Sequence, residues 1–352
     1  MSRHARQSSR SPLSGGARTF PDGERPHREA PRRTQCERPV EIVCQDDVKL
    51  GGHLWLAERP ETYGRVIINP ATGVLARYYH RYALFLAGQG FDVLTYDYRG
   101  IGDSRPRSLS GCGYRWRDWG EYDFDAAVRL MCERGRGGPL LVVGHSIGGF
   151  LPGLAASATE VDRMLTVGAQ YAWWLDYAPN RRVALFLKWH LAMPLLTAVC
   201  GYFPGRRLGW LEDLPAGVAN EWSFRRSRAE LSYPRGRRQE ILKRFEAVTA
   251  PILAVTAFDD EYATLRAVRR GLGYYRNAPT TAVELGPDEL GENTVGHFSL
   301  FNSKHRTGFW LDTVLWLRDG MNPWPSHTLR KASSAAHEPL VHGFPDLSRG
   351  TI

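Results

Sequence analysis

At 352 residues, with 43% hydrophobic and 24% charged side chains, the chain has the composition of a globular protein that buries one large core with an inserted subdomain, or two modest domains. Its formal charge of +9 is local and so is no argument for nucleic-acid binding: residues 1–35 hold eight arginines against Asp22, Glu24 and Glu29, residues 172–244 hold thirteen Lys and Arg against six Asp and Glu, and the rest is net negative. Five scattered cysteines (Cys36, Cys44, Cys112, Cys132 and Cys200), without a Cys-x-x-Cys spacing, argue against a disulfide framework or a zinc site and fit a reducing, cytoplasmic compartment.

Residues 1–37 lack apolar periodicity and are expected to form a disordered basic tail with no secretory signal. Pro39 to Cys44 and His53 to Ala57, separated by Gln45-Asp46-Asp47 and Gly51-Gly52, predict two antiparallel strands. The β-branched run Arg65 to Asn69 predicts a strand buried on both faces, broken by Pro70-Ala71-Thr72-Gly73. Tyr78, Tyr82, Phe85 and Leu86 share one helical face, and Gly88 and Gly90 close that helix. Phe91 to Tyr96 is the next buried strand. It runs into Asp97-Tyr98-Arg99-Gly100-Ile101-Gly102-Asp103-Ser104, a tight turn that lacks the third glycine of a dinucleotide loop.

Trp119 to Arg134 predicts a second amphipathic helix. Leu140 to Gly144 predicts a strand leading to a helix from Ile147 that is short or kinked at Pro152. Arg163 to Gly168 is a further strand. Pro251 to Thr256, a helix through Ala267 to Tyr275, Thr281 to Leu285 and a closing helix from Phe309 to Arg318 complete the pattern. Cys132 and Cys200 fall in apolar surroundings and read as packing. The alternation predicts an α/β fold: a mostly parallel sheet covered by helices on both faces, with its core in 38–170 and 246–320, an insertion at 171–245 and a loose tail at 321–352.

The apolar strand at Leu140 runs directly into Gly144-His145-Ser146-Ile147-Gly148-Gly149. Glycines two before and two after Ser146 let backbone pass closely at a sharp strand-to-helix turn and leave the hydroxyl exposed at the sheet's rim. The Ile147 N–H at the start of a helix suits a developing negative charge. The pentapeptide alone also fits a glycine-rich turn with an incidental serine. A nucleophilic serine needs an imidazole, and the imidazole an acid, both following later strands. Asp259-Asp260 ends the strand that begins at Pro251, and His297 follows the last strand within the folded body.

Taken in order, Asn69-Pro70-Ala71-Thr72-Gly73, the Asp97 to Ser104 turn, Gly144 to Gly149, Asp259-Asp260 and Gly296-His297-Phe298 resemble an α/β-hydrolase. More narrowly they are similar to a serine-hydrolase branch in which Asn-Pro-Ala-Thr-Gly replaces the commoner His-Gly turn. The resemblance spans about Val40 to Leu317. It implies Ser146 as nucleophile, His297 as general base and Asp260 as acid, with Asp259 as the alternative acid or as a cap on the following turn. Backbone N–H groups of Ile147 and Ala71, or a neighbour of Ala71, are the implied oxyanion hole; Pro70 has no N–H to offer.

The insertion at 171–245 corresponds to a lid, in which tryptophans line an acyl or aromatic pocket or pack the lid onto the body. Lys188, His190 and Pro194 interrupt its most apolar stretch, Val183 to Phe203, making a poor membrane span, so a weak membrane-surface contact is a secondary expectation. Arg225, Arg226, Arg228, Arg235, Arg237 and Arg238 fit either an anionic substrate or headgroup or a solvated basic face. The reading is a serine hydrolase acting through an acyl-enzyme on a small-molecule acyl substrate, most simply a carboxylic ester, with no cofactor, metal or nucleic acid. Acyltransferase, aminopeptidase-like hydrolase and non-catalytic binding protein are the alternatives.

Overall fold

The computed structural model describes residues 37–134 and 136–329; the N-terminal tail with Cys36, and the chain from 330 onward, lie outside the described residues. One eight-stranded sheet contains β1 (Glu37–Val43), β2 (Lys49–Trp55), β3 (Arg65–Asn69), β4 (Asp92–Tyr96), β5 (Leu140–His145) and β6 (Arg163–Val167). A two-stranded hairpin of β7 (Tyr202–Phe203) and β8 (Leu214–Pro215) then intervenes before β9 (Ile252–Ala257) and β10 (Thr280–Leu285) complete the large sheet. The spatial order is β1-β2-β4-β3-β5-β6-β9-β10. β2 runs antiparallel to both neighbours, and every pair from β4 to β10 is parallel.

The apolar runs form strands because both faces are covered. Val66 and Ile68 of β3, with Leu141 and Val143 of β5, enter a core shared with the helices His80–Gly88 and Phe309–Asp319. Ile67, Leu140 and Val142 point the other way, onto Trp119, Phe124 and Met131 of a second helix and onto Phe245. That period-two division is the pleat of a two-sided sheet. The chain leaves β3 first to β4 on one side and then to β5 on the other, which places Asn69 opposite Gly144 and opens a crevice at the strands' carboxyl ends.

Several expectations need correction. The predicted second helix begins earlier, at Trp116, and contains a π-helical segment, Trp119–Phe124, before its α-helical part Asp125–Arg134. No α-helix follows Ser146. Three 3₁₀ turns, Ser146–Gly149, Leu151–Leu154 and Ala156–Glu160, take its place, with Pro152, which supplies no N–H, where an α-helix would continue. Cys132 and Cys200 are exposed rather than packed. The segment 321–329 is ordered: Trp324 stacks on Phe309 with ring centroids 5.3 Å apart, and Leu329 N–H donates to the Ala282 carbonyl at 2.9 Å.

The turn after β4 is structural. Arg99, buried, pairs with Asp123 and Asp46 at 2.6 Å each, and Asp97 accepts from the backbone amides of Ala76 and Asp103. Gly100 abuts the lid, where a Cβ would stand 2.4 Å from Pro215 Cγ.

The insertion between β6 and β9 carries the hairpin and a helix built from Arg182–Phe186, a π-helical segment Leu187–Ala192 and Met193–Cys200. Leu185, Trp189, Met193 and Thr197 form a buried row, four residues apart, with Trp189 packed on Phe203, Trp210 and Trp222 of the same insertion. Val183, Leu187, Leu191, Leu195 and Val199 form a second row at the same spacing and are exposed, Val199 to 86%. Among the described residues this helix alone is long and apolar enough to cross a membrane by length and composition.

Candidate active site

Four strand ends converge. Ser146 follows β5, Pro70-Ala71-Thr72 follow β3, Asp259 and Asp260 follow β9, and His297 lies in the loop after β10. Ser146 adopts φ = 55°, a left-handed conformation rare for a residue with a side chain, and the flanking glycines explain how it is tolerated. A Cβ at Gly144 would stand 2.5 Å from Gly149 Cα, and one at Gly148 2.3 Å from the Asn69 carbonyl oxygen. Asn69 secures the turn by donating from Nδ2 to the Gly148 carbonyl at 3.1 Å, while its Oδ1 accepts from Tyr96 at 2.8 Å.

His297 Nδ1 and Asp260 Oδ2 are 2.7 Å apart. Asp260 is buried, and burial alone would raise its carboxyl; the charge of His297, the hydrogen bond between them and the amides of Ala263 and Tyr262 outweigh that and hold it below the usual value. Its other oxygen, Oδ1, accepts from Tyr262 N–H and Ala263 N–H at 2.8 Å each. Asp259 does not cap that turn. It reaches the histidine loop instead, accepting from Val295 N–H and Gly296 N–H at 2.8 Å each. The structure therefore brings Asp260, not Asp259, to the imidazole.

Ser146 is 6% exposed and lines the same cavity as His297. Among the described residues its Oγ has one hydrogen-bond partner, Gln170 Nε2 at 3.4 Å, and no hydrogen bond joins it to His297. Such contacts commonly lengthen without substrate and close in the Michaelis complex. Gly168, at φ = 56°, passes beneath the pair, where a Cβ would stand 3.1 Å from Asp260 Oδ2 and 3.2 Å from His297 Nδ1.

The expected oxyanion donors fare differently. Ile147 N–H has no acceptor among the described residues and Ile147 lines the cavity. Ala71 N–H instead donates to the Tyr79 hydroxyl at 3.0 Å, so it is engaged within the fold. Its neighbour Thr72 lines the cavity, and Thr72 N–H has no acceptor among the described residues.

Tyr79 and His145 were outside the sequence reading, which treated His145 as the variable position before the serine. His145 is fully buried, and that burial, followed by repulsion from His297, pulls its pKa down to about 3. Its Nε2 lies 2.8 Å from the His297 carbonyl oxygen, which can only accept, so Nε2 carries the proton. Nδ1 then accepts from the Tyr79 hydroxyl at 2.7 Å, leaving the phenol oxygen to accept from Ala71. One chain of hydrogen bonds thus ties the turn after β3 to the backbone of the histidine loop. Its only sequence signal was a histidine inside an otherwise glycine-rich motif.

The cavity has a volume of about 350 Å³, in the range of small-molecule sites. Trp189, Trp210 and Trp222 of the lid form its apolar wall, and Lys188 and Arg225 also line it. Of the other lid arginines, Arg228 pairs with Glu230, and Arg237 with Glu121 and Glu240.

Residues 60–228 match the family model described as serine aminopeptidase, S33; the match ends before Asp260 and His297. No curated protein matches the chain in sequence. Among solved structures, a soluble variant of monoglyceride lipase from Saccharomyces cerevisiae, in complex with a substrate analogue, superposes with a TM-score of 0.56 at 16% identity, covering 86% of this chain and 100% of that one. DcsB, in complex with its substrate analogue, gives a TM-score of 0.53 at 14% identity over 80% of this chain and 98% of that one. A hypothetical protein from Pseudomonas aeruginosa gives 0.51 at 15% identity over 78% and 90%. The sheet order, the strained serine turn and these superpositions agree that the chain has the α/β-hydrolase fold.

Proposed function

We propose that the protein is a serine hydrolase that cleaves carboxylic esters through an acyl-enzyme. The observation that carries this reading is the 2.7 Å His297–Asp260 pair on the cavity that Ser146 also lines. Ser146 Oγ attacks the ester carbonyl carbon while His297 Nε2 takes its proton, and Asp260 keeps the Nδ1–H tautomer and stabilises the imidazolium. The carbonyl oxygen, now negative, accepts from Ile147 N–H and Thr72 N–H. Collapse of the adduct breaks the bond to the alcohol oxygen, which leaves with the proton from His297. Water, deprotonated by the same imidazole, then attacks the acyl carbon and releases the acid and the free serine.

An aminopeptidase on the same triad would need a free carboxylate for the substrate's α-ammonium group. The two acids that line the cavity are engaged, Glu261 with Arg181 at 2.9 Å and Asp259 with two amides, which favours esters. The test is a series of aryl esters of increasing acyl length, with aminoacyl anilides beside them, assayed on wild type and Ser146→Ala. Ester hydrolysis that vanishes in the mutant is expected. Activity that survives Ser146→Ala removes the serine from the mechanism; anilide cleavage in place of ester cleavage makes the protein a peptidase; products carried to an added alcohol rather than water make it an acyltransferase. A protein that neither turns over nor reacts with a fluorophosphonate is a binding protein.

We also propose that the lid touches a lipid surface in plane. The helix from Arg182 buries one row of side chains and turns an aliphatic row, Val183 to Val199, outward, with Arg181 and Arg182 at its start. A helix held along one face favours lying at an interface over crossing it.

A further inference from the structure

Two cations line the cavity without a carboxylate partner. Arg225 is 6% exposed, and among the described residues it forms no ion pair. Its Nη1 donates to the Tyr171 carbonyl, its Nε is buried without an acceptor, and Nη2 has no partner among the described residues. The guanidinium lies on the faces of Trp116 and Tyr171, 4.6 and 5.0 Å from the ring centroids. Glu221, the acid whose charge reaches it, is bonded to Arg117. Lys188, half-buried, holds Nζ 4.5 Å from the centroids of both Trp189 and Trp210 and likewise forms no ion pair among the described residues.

An unpaired buried guanidinium is costly, and aromatic faces compensate only part of its lost hydration. Neither acid on the cavity wall pairs with these cations: Asp259 accepts from two amides, and Glu261 pairs with Arg181 while its charge reaches Lys188 without an ion pair. Both cations therefore keep donors without a bonded carboxylate in the space where a substrate would sit. Both cations come from the lid, and the serine and histidine from the body, so a bound ester would present its scissile carbonyl to one wall and a second group to the other.

We infer that the substrate is an ester bearing an anionic group of carboxylate size, remote from the scissile bond, which Arg225 and Lys188 bind. This rests on the serine-hydrolase reading and adds the class of substrate to it. A carboxylate matches the donors left open, the unpartnered guanidinium nitrogens of Arg225 and the Lys188 ammonium, in a cavity of about 350 Å³.

The test compares charged and neutral isosteres on both sides of the ester: 4-nitrophenyl hydrogen succinate against 4-nitrophenyl 4-methylpentanoate, and 3-carboxyphenyl butanoate against 3-isopropylphenyl butanoate, each normalised to its hydroxide rate. The charged member of at least one pair should have a kcat/KM at least about ten-fold higher in wild type. That ratio should fall towards one in Arg225→Gln and in Lys188→Met, through KM, and be partly retained in Arg225→Lys. Lys188→Met is half-exposed and keeps the test open should the buried arginine variant fail to fold. Wild-type ratios at or below one in both pairs, or ratios unchanged in both charge-removing variants, overturn the inference while leaving the hydrolase reading intact. Quenching of cavity tryptophan fluorescence by glutarate, measured on Ser146→Ala and lost in Ser146→Ala/Lys188→Met, reports anion binding without turnover. Glutarate binding with no ester turnover would sink the hydrolase reading alone.

Discussion

His145 Nε2 lies 2.8 Å from the carbonyl oxygen of His297, so the residue preceding the serine holds the backbone of the histidine across the cavity. Its Nδ1 accepts from the Tyr79 hydroxyl, which requires a neutral imidazole, and burial enforces this by lowering the pKa from 6.5 to about 3. Between those values the unfolded chain binds a proton that the folded chain does not, so stability is complete above pH 6.5 and is lost as pH falls. At pH 5 the loss from this one group is about 2 kcal/mol. Denaturant unfolding at pH 7.5 and 5 should show His145→Gln losing less stability on acidification by about that amount. His80, lowered to about 4 by burial, acts in the same direction and leaves a residual slope.

Asp260→Asn removes the acceptor that fixes the His297 tautomer, and kcat should fall by about 10⁴ with KM little changed. Asp259→Asn keeps one oxygen for the Val295 and Gly296 amides and touches no imidazole. Its kcat should fall by less than about ten-fold, with a lower melting temperature. Equal losses of kcat in the two variants would assign the acid wrongly.

Gly148→Ala places a methyl 2.3 Å from the Asn69 carbonyl oxygen, where backbone cannot yield. A destabilisation of about 3 kcal/mol and loss of ester hydrolysis are expected. Gly236→Ala, which meets nothing within 4 Å, should match wild type in both measurements.

Leu187→Asn combined with Leu191→Asn removes two exposed aliphatic side chains from the lid's outer row. Sedimentation with anionic lipid vesicles should weaken by about ten-fold or more, with hydrolysis of a short soluble ester retained. Wild-type protein that stays in the supernatant at low salt would end the lipid-surface proposal.

Much of the fold was legible because its strands are short, β-branched and punctuated by glycine: β3 matches the predicted Arg65 to Asn69 run, and the others shift by a few residues. Ser146, Asp260 and His297 could be singled out because each follows a strand, and strand ends in a parallel sheet meet at one rim. The replacement of the helix expected after Ser146 by three 3₁₀ turns was legible only in part, through Pro152, which supplies no N–H to continue it. Ala71 was chosen as a donor by position along the chain; that Tyr79, eight residues on, would occupy its amide depends on how the intervening helical turn folds back. Arg225 was one of eleven lid arginines, with no local sign that it alone would be enclosed beside the serine.

Three short turns in place of a helix leave Ser146 without a long column of aligned peptide dipoles behind it. Negative charge arriving at that spot has no diffuse field to fall back on and depends on individual N–H bonds. Replacing the Ile147 amide by an ester linkage, through chemical ligation, would therefore reach the rate almost undiluted, in a way that side-chain exchange at the same position would not.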